Sequence, residues 1–166
     1  MSRHGAPHWP VWIVLLLSVA FVSVPMPDVL TPFRPPWAAI AMIYWIMMWP
    51  RVFGVGSAWI VGLLLDILQG DLLGQNALAM SVIGYLTLRF HLQIRIFPLW
   101  QLTSTVFALL LIDALIQVVI EGYAGAPVGG LQRWTPVIGG TLVWPVVMAV
   151  MDRLRLQLES RGVSFI

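Results

Sequence analysis

The sequence predicts an all-α integral membrane protein: six transmembrane helices in one compact bundle, with the N- and C-termini on the cytoplasmic side. Three observations lead there. Of 166 residues, 60% are hydrophobic and 10% are charged. The mean hydropathy is +0.90, and nearly the whole chain divides into apolar stretches of helical-span length. Nine arginines and no lysine sit where those stretches are interrupted.

The first stretch, residues 10–26, follows Arg3 and contains Ser18-Val19-Ala20, a loose small-x-small pattern, so it has the layout of a signal peptide. Its apolar run continues through Phe21 and Val22, which makes an uncleaved first span the better reading. The second span, 37–50, has only 13 residues between Trp37 and Trp49. That reaches about 20 Å at 1.5 Å per residue, short of a hydrocarbon core of about 30 Å.

A re-entrant second segment would flip everything downstream, leaving only Arg3 and Arg133 inside. With six crossings, Arg3, Arg51, Arg89, Arg95, Arg153, Arg155 and Arg161 lie inside, against Arg34 and Arg133 outside. Seven to two is the positive-inside bias expected of an inner-membrane protein. The short second helix then crosses by borrowing its flanks, Pro36 and Pro50-Arg51, with local thinning of the bilayer.

The third and fourth spans, 54–70 and 72–88, are joined so closely that they form a hairpin. Gly70 and Gly74 bracket the turn and Gly70-Asp71 supplies its residues. The fifth and sixth spans are 98–120 and 134–151. Trp9, Trp12, Trp37, Trp49, Trp100, Trp134 and Trp144 fall near segment ends, where amphipathic rings prefer the interface, and Trp45 and Trp59 are expected to pack deeper.

These spans leave no segment long enough to bury a core of its own, since folding below about 40 residues usually needs disulfides or metal. Cysteine is absent. A pI near 9.7 raises nucleic acid as a partner, but the arginines are spread over membrane flanks and form no single patch. Membrane lipid, anionic on the inner leaflet, is the partner this pattern fits.

Two carboxylates fall inside spans. Asp66 lies in Leu63-Leu64-Leu65-Asp66-Ile67-Leu68, about one turn before Gly70 and toward the outer interface. Asp113 is near the middle of the 23-residue fifth span, where a charge costs roughly 2.5–3.5 kcal/mol on insertion scales. Asp113, Gln117 and Glu121 share one helical stripe at i, i+4, i+8. Three uses are open: a hydrogen-bond partner inside the bundle, a contact for another protein's helix, or a proton or substrate site. No His, Lys or Arg lies well inside a span, so a counter-ion is not evident.

Gly54, Ala58 and Gly62 form a small-xxx-small face on the third span, for packing within the chain or for a partner helix. Between the fourth and fifth spans, Arg89, His91, Gln93 and Arg95 alternate with Phe90, Leu92, Ile94 and Ile96 ahead of Trp100. Period two points to an extended, half-buried interfacial segment, which either docks a cytoplasmic partner or anchors to anionic lipid. His4 and His8 are spaced i, i+4 but have no acidic or cysteine ligand nearby. Metal, cofactor and enzyme signatures are absent, including the nucleophile elbow, P-loop and zincin patterns.

Residues 34–101 closely resemble the rod shape-determining MreD family of Gram-negative bacteria, most specifically GLLLDILQGDLLG at 62–74 and RFHLQIRIFPLW at 89–100. Trp144-Pro145 followed by Arg153 and Arg155 resembles the family's last helix and basic tail. The resemblance implies a non-enzymatic scaffold in the bacterial inner membrane, part of the elongation complex that builds lateral peptidoglycan. It implies an MreC-like single-span partner and, through it, an MreB-like filament, a SEDS glycosyltransferase and a transpeptidase. The family is also similar to the substrate-binding S-components of vitamin transporters. The alternative is therefore a small-molecule binding subunit with Asp66, Asp71 or Glu121 near the mouth of an outward pocket.

Overall fold

The computed structural model describes residues 34–125 and 130–160. The expected first span at 10–26 lies outside the described residues, as do Arg3, His4, His8, Trp9, Trp12 and Arg161.

Five α-helices follow in order: α1 (Trp37–Met48), α2 (Val55–Gln69), α3 (Gln75–Arg95), α4 (Leu99–Tyr123) and, after a 3-10 turn at Leu131–Trp134, α5 (Thr135–Ser160). No strand occurs among the described residues. Three helical segments are long and apolar enough to cross a membrane: Gln75–Arg95, Leu99–Tyr123 and Gln132–Gln157. α1 and α2 are shorter apolar helices.

Helix α1 is the centre of the bundle. Its sequence WAAIAMIYWIMM is apolar on every side, and a helix without a polar face is covered all round. Ala38 through Met47 are all buried, with α3 packing most extensively against it and α5 and α4 also in contact. Trp45 stacks on Trp49 with ring centroids 4.7 Å apart and meets Tyr44 edge-on at 5.2 Å.

α2 and α3 form the hairpin expected from the glycines, and it is the most extensive helix pair in the molecule. Gly70 ends α2 at φ +70°, its N–H bonded to the Asp66 carbonyl oxygen at 3.1 Å, and Gly74 starts α3 at φ +98°. Both are left-handed positions that suit glycine.

The stripe Gly54, Ala58, Gly62 faces α3. A Cβ on Gly62 would lie 2.5 Å from both Ala77 Cα and the Asn76 carbonyl oxygen, and a Cβ on Gly84 would lie 2.8 Å from Ala58 Cβ. Small residues thus let two backbones approach within the chain. Another close approach is at Gly140, where a Cβ would come within 2.7 Å of Leu110 Cδ1 and 3.0 Å of Pro36 Cδ, seating α5 on α4 and on the entry to α1.

The segment from Arg89 to Ile96 is not extended. α3 continues to Arg95, so His91 and Arg95 are helical residues, and the His91 Nδ1 donates to the Leu88 carbonyl oxygen at 2.6 Å. Alternation over eight residues also satisfies a helix in which Phe90 and Ile94 share one face and His91 and Arg95 another. Burial of Ile94 against the core selects that solution.

The tryptophans depart from expectation at two positions. Trp144 is fully buried against the core, because α5 runs on to Ser160 and its tenth residue is no segment end, while Trp59 is half exposed on the outer face of α2. Trp45 is fully buried.

Replacing Gly62 by alanine is expected to lower stability by about 1–3 kcal/mol, because the new methyl meets backbone that cannot turn aside. Gly56→Ala, where a Cβ meets nothing within 4 Å, is expected to stay within about 0.5 kcal/mol. Thermal unfolding of the two variants in the same detergent compares them.

Candidate functional site

The end of the bundle where α1 begins, α2 ends, α3 begins and α4 ends carries a connected set of polar side chains. It starts from Asp66, 1% exposed in the last turns of α2. The Asp66 Oδ1 accepts from the Asn76 N–H at 2.9 Å, and Oδ2 accepts from the N–H groups of Gly74 at 2.9 Å and Ala77 at 3.3 Å. The first turn of a helix has N–H groups without intrahelical partners, and Gly74 has no side chain to cap them. Asp66 caps α3 from the preceding helix, with the positive end of the helix dipole against its carboxylate. A sequence-local cap cannot arise here, so the turn is closed by a residue eight positions upstream.

With that turn held, the side chain of Asn76 points into α4. Its Nδ2 donates to Asp71 Oδ2 at 3.3 Å and its Oδ1 accepts from Gln117 Nε2, also at 3.3 Å. Gln117 Nε2 also donates to Asp113 Oδ2 at 3.0 Å, while Gln117 Oε1 accepts from Arg133 Nη2 at 3.0 Å. Arg133 Nη2 pairs with Glu121 Oε1 at 2.7 Å, and Gln75 Nε2 donates to the same oxygen at 2.8 Å. The i, i+4, i+8 stripe of α4 therefore faces the first turn of α3.

Arg133 is the cation that sequence reasoning missed. It belongs to the 3-10 turn ahead of α5, outside any apolar stretch, and reaches back to the stripe across space. Gln75 and Asn76 were also passed over. Their signal was position: two amides immediately after a helix-starting glycine, facing a polar stripe on another helix.

Two adjoining cavities of about 150 and 270 Å³ lie along this network. Asn76, Asp113 and Gln117 line the first against Leu65 and Met80, and Asp71, Gln75, Glu121 and Arg133 line the second. The cleft offers both donors and acceptors but no nucleophile paired with a base. No group of three His, Cys, Asp or Glu residues that could hold a metal ion occurs among the described residues.

The opposite end is basic. Arg51 follows α1, Arg89, His91 and Arg95 end α3, and Arg153 and Arg155 lie on α5. Tyr44 Oη donates to Asp152 Oδ1 at 2.6 Å and Arg155 Nη1 lies 3.0 Å from Met48 Sδ, tying α5 to α1 there. Trp100, at the start of α4, is 71% exposed. The candidate residues thus fall into three places: Asp66, Asp113 and Gln117 joined through Asn76, Gly54, Ala58 and Gly62 along the α2/α3 contact, and Arg89, His91, Arg95 and Trp100 at the basic end.

A family profile described as "rod shape-determining protein MreD" matches residues 6–155. The chain belongs to the MreD family. Among curated proteins, the rod shape-determining protein MreD of Haemophilus influenzae is 25% identical over 155 residues, covering 89% of this chain and 94% of its relative. No solved structure matches. The MreD match covers the first four described helices whole and α5 as far as Arg155, taking in both the acidic and the basic end.

Loss of the Asp66 cap in Asp66→Leu is expected to cost about 1–3 kcal/mol, and to speed amide exchange first at Gly74, Asn76 and Ala77. Hydrogen-exchange mass spectrometry reads this directly. For Arg133→Gln and Glu121→Gln, a double-mutant cycle is expected to return a coupling of about 1 kcal/mol, as for a partly buried pair.

Proposed function

We propose that this MreD-family chain is a non-enzymatic inner-membrane scaffold subunit of the cell-elongation complex, supporting lateral peptidoglycan synthesis by binding partner membrane proteins. The family match over residues 6–155 carries the reading. The direct partner is an MreC-like single-span protein, which links the chain to an MreB-like filament, a SEDS glycosyltransferase and a transpeptidase. The whole chain forms one membrane domain of six spans, with both termini cytoplasmic.

The charge layout supports that topology. Arg51, Arg89, Arg95, Arg153 and Arg155 gather at one end of the bundle against Arg34 and Arg133 at the other, the arginine bias that the positive-inside rule favours when the richer end is cytoplasmic. Because α3 covers the small-residue stripe of α2, a partner helix would meet the outer face of α2. There Trp59, Ile60, Ile67 and Leu68 are 47–63% exposed. Packing there would rest on van der Waals contact, the main driving force between helices in lipid.

The polar cleft favours a second reading, an S-component-like subunit that binds a small molecule at the outer end. Its two cavities, about 150 and 270 Å³, are each smaller than the roughly 300–1,000 Å³ of most small-molecule sites, and the family match speaks for the scaffold first.

In a rod-shaped bacterium depleted of its own MreD, this chain is expected to restore rods, and cells that stay round would refute the elongation role. The detergent-purified chain is expected to co-elute with a single-span MreC-type protein, and Trp59→Ala with Ile67→Ala to weaken that association at least about tenfold, since aromatic anchors dominate interfaces. A soluble molecule retained in native mass spectrometry, with no protein partner, would favour the carrier.

A further inference from the structure

At the basic end, a cavity of about 320 Å³ opens between the α1–α2 connection and the last turns of α3. Its charged lining is Arg51, His91 and Arg95, set among Met48, Pro50 and Val52, and no acidic residue lines it. Neither the Arg51 nor the Arg95 side chain makes a hydrogen bond or ion pair with another described residue. Arg51 and Arg95 are both exposed and line one cavity that holds no carboxylate, so an anion seated there is attracted by both guanidinium groups. With His91 Nδ1 given to the Leu88 carbonyl, Nε2 is the ring nitrogen left to donate to a bound oxyanion when protonated.

From this arrangement we infer that the cavity is a binding site for the phosphate of an anionic phospholipid headgroup. Guanidinium groups recognise phosphate oxygens with two parallel N–H donors. The apolar surroundings favour lipid over free phosphate. On the same turns of α3 and the start of α4, Leu92 is 68% exposed, Ile96 81%, Leu99 63% and Trp100 71%. Exposed aliphatic side chains and an indole beside a cluster of arginines are the composition of a membrane interface, where acyl chains would cover them. Arg89 and Arg153 are exposed at the same end but do not line the cavity, so they supply only diffuse attraction.

The test uses the full chain, purified in detergent and titrated with phosphatidylglycerol, phosphatidylcholine of the same acyl chains, or inorganic phosphate, with bound species counted by native mass spectrometry. Phosphatidylglycerol is expected to be retained in preference to phosphatidylcholine. R51Q/R95Q is expected to lower its affinity at least about tenfold, since losing a charge-assisted hydrogen bond costs about tenfold or more, while R89Q/R153Q, which removes no direct contact, changes it less than about twofold. If R51Q/R95Q does not fold, R95Q and H91Q, both at solvent-accessible positions, are measured singly with the same expected direction. Equal losses in the two double variants, equal retention of the two lipids, or displacement of lipid by millimolar inorganic phosphate would overturn the proposal.

Discussion

The carboxylate of Asp66 and the three N–H groups it accepts from at the start of α3 hold the rest of the structure in place. α3 begins at a glycine and has no cap of its own, and in a non-aqueous setting its leading N–H groups have no solvent to satisfy them. Asp66 supplies that satisfaction and pins the C-terminal part of α2 to the first turn of α3, at the level where Gly62 lies against the Ala77 backbone. The cap and the close approach depend on each other. A side chain at residue 62 would push away the turn that Asp66 binds, and without Asp66 the glycine contact would leave buried N–H groups unpartnered.

From that junction the polar network extends outward. Asn76 is oriented by the same turn whose N–H groups bond Asp66, and its amide reaches both Asp71 and Gln117. Gln117 then distributes the interaction to Asp113 and Arg133. An amide donates and accepts at once, so two glutamines and one asparagine can stitch carboxylates and a guanidinium from four segments without stacking like charges. The acidic end is in this sense a structural lattice that lines a cleft, and its chemistry is suited to holding helices and water more than to bond making.

The other organising feature is the difference between the two ends. α1 passes through the middle, apolar throughout, and anchors both: Pro36 and Ala38 border the polar cleft, while Tyr44 and Met48 meet Asp152 and Arg155 at the basic end. One end holds its charges in mutual contact, and the other leaves Arg51 and Arg95 facing a cavity. Each end of the bundle thus presents a different chemistry to what approaches it.

Apolar segment lengths and the glycines at 70 and 74 were enough, as sequence, to place the α2/α3 hairpin and α4, since these depend on local pattern and turn stereochemistry. The stripe of Asp113, Gln117 and Glu121 was legible for the same reason, being a matter of helical period, and so was the family, from residues 62–74 and 89–100. What the stripe touches was not legible: Arg133, Gln75 and Asn76 converge on it through contacts between segments up to 46 residues apart. The helical course of residues 89–95 and the burial of Trp144 were likewise decided by tertiary packing, because a short alternating run fits either geometry until a core claims one of its faces. Local stereochemistry and period belong to the sequence; satisfying a buried polar group requires knowing which distant segment arrives beside it, and only the folded chain holds that information.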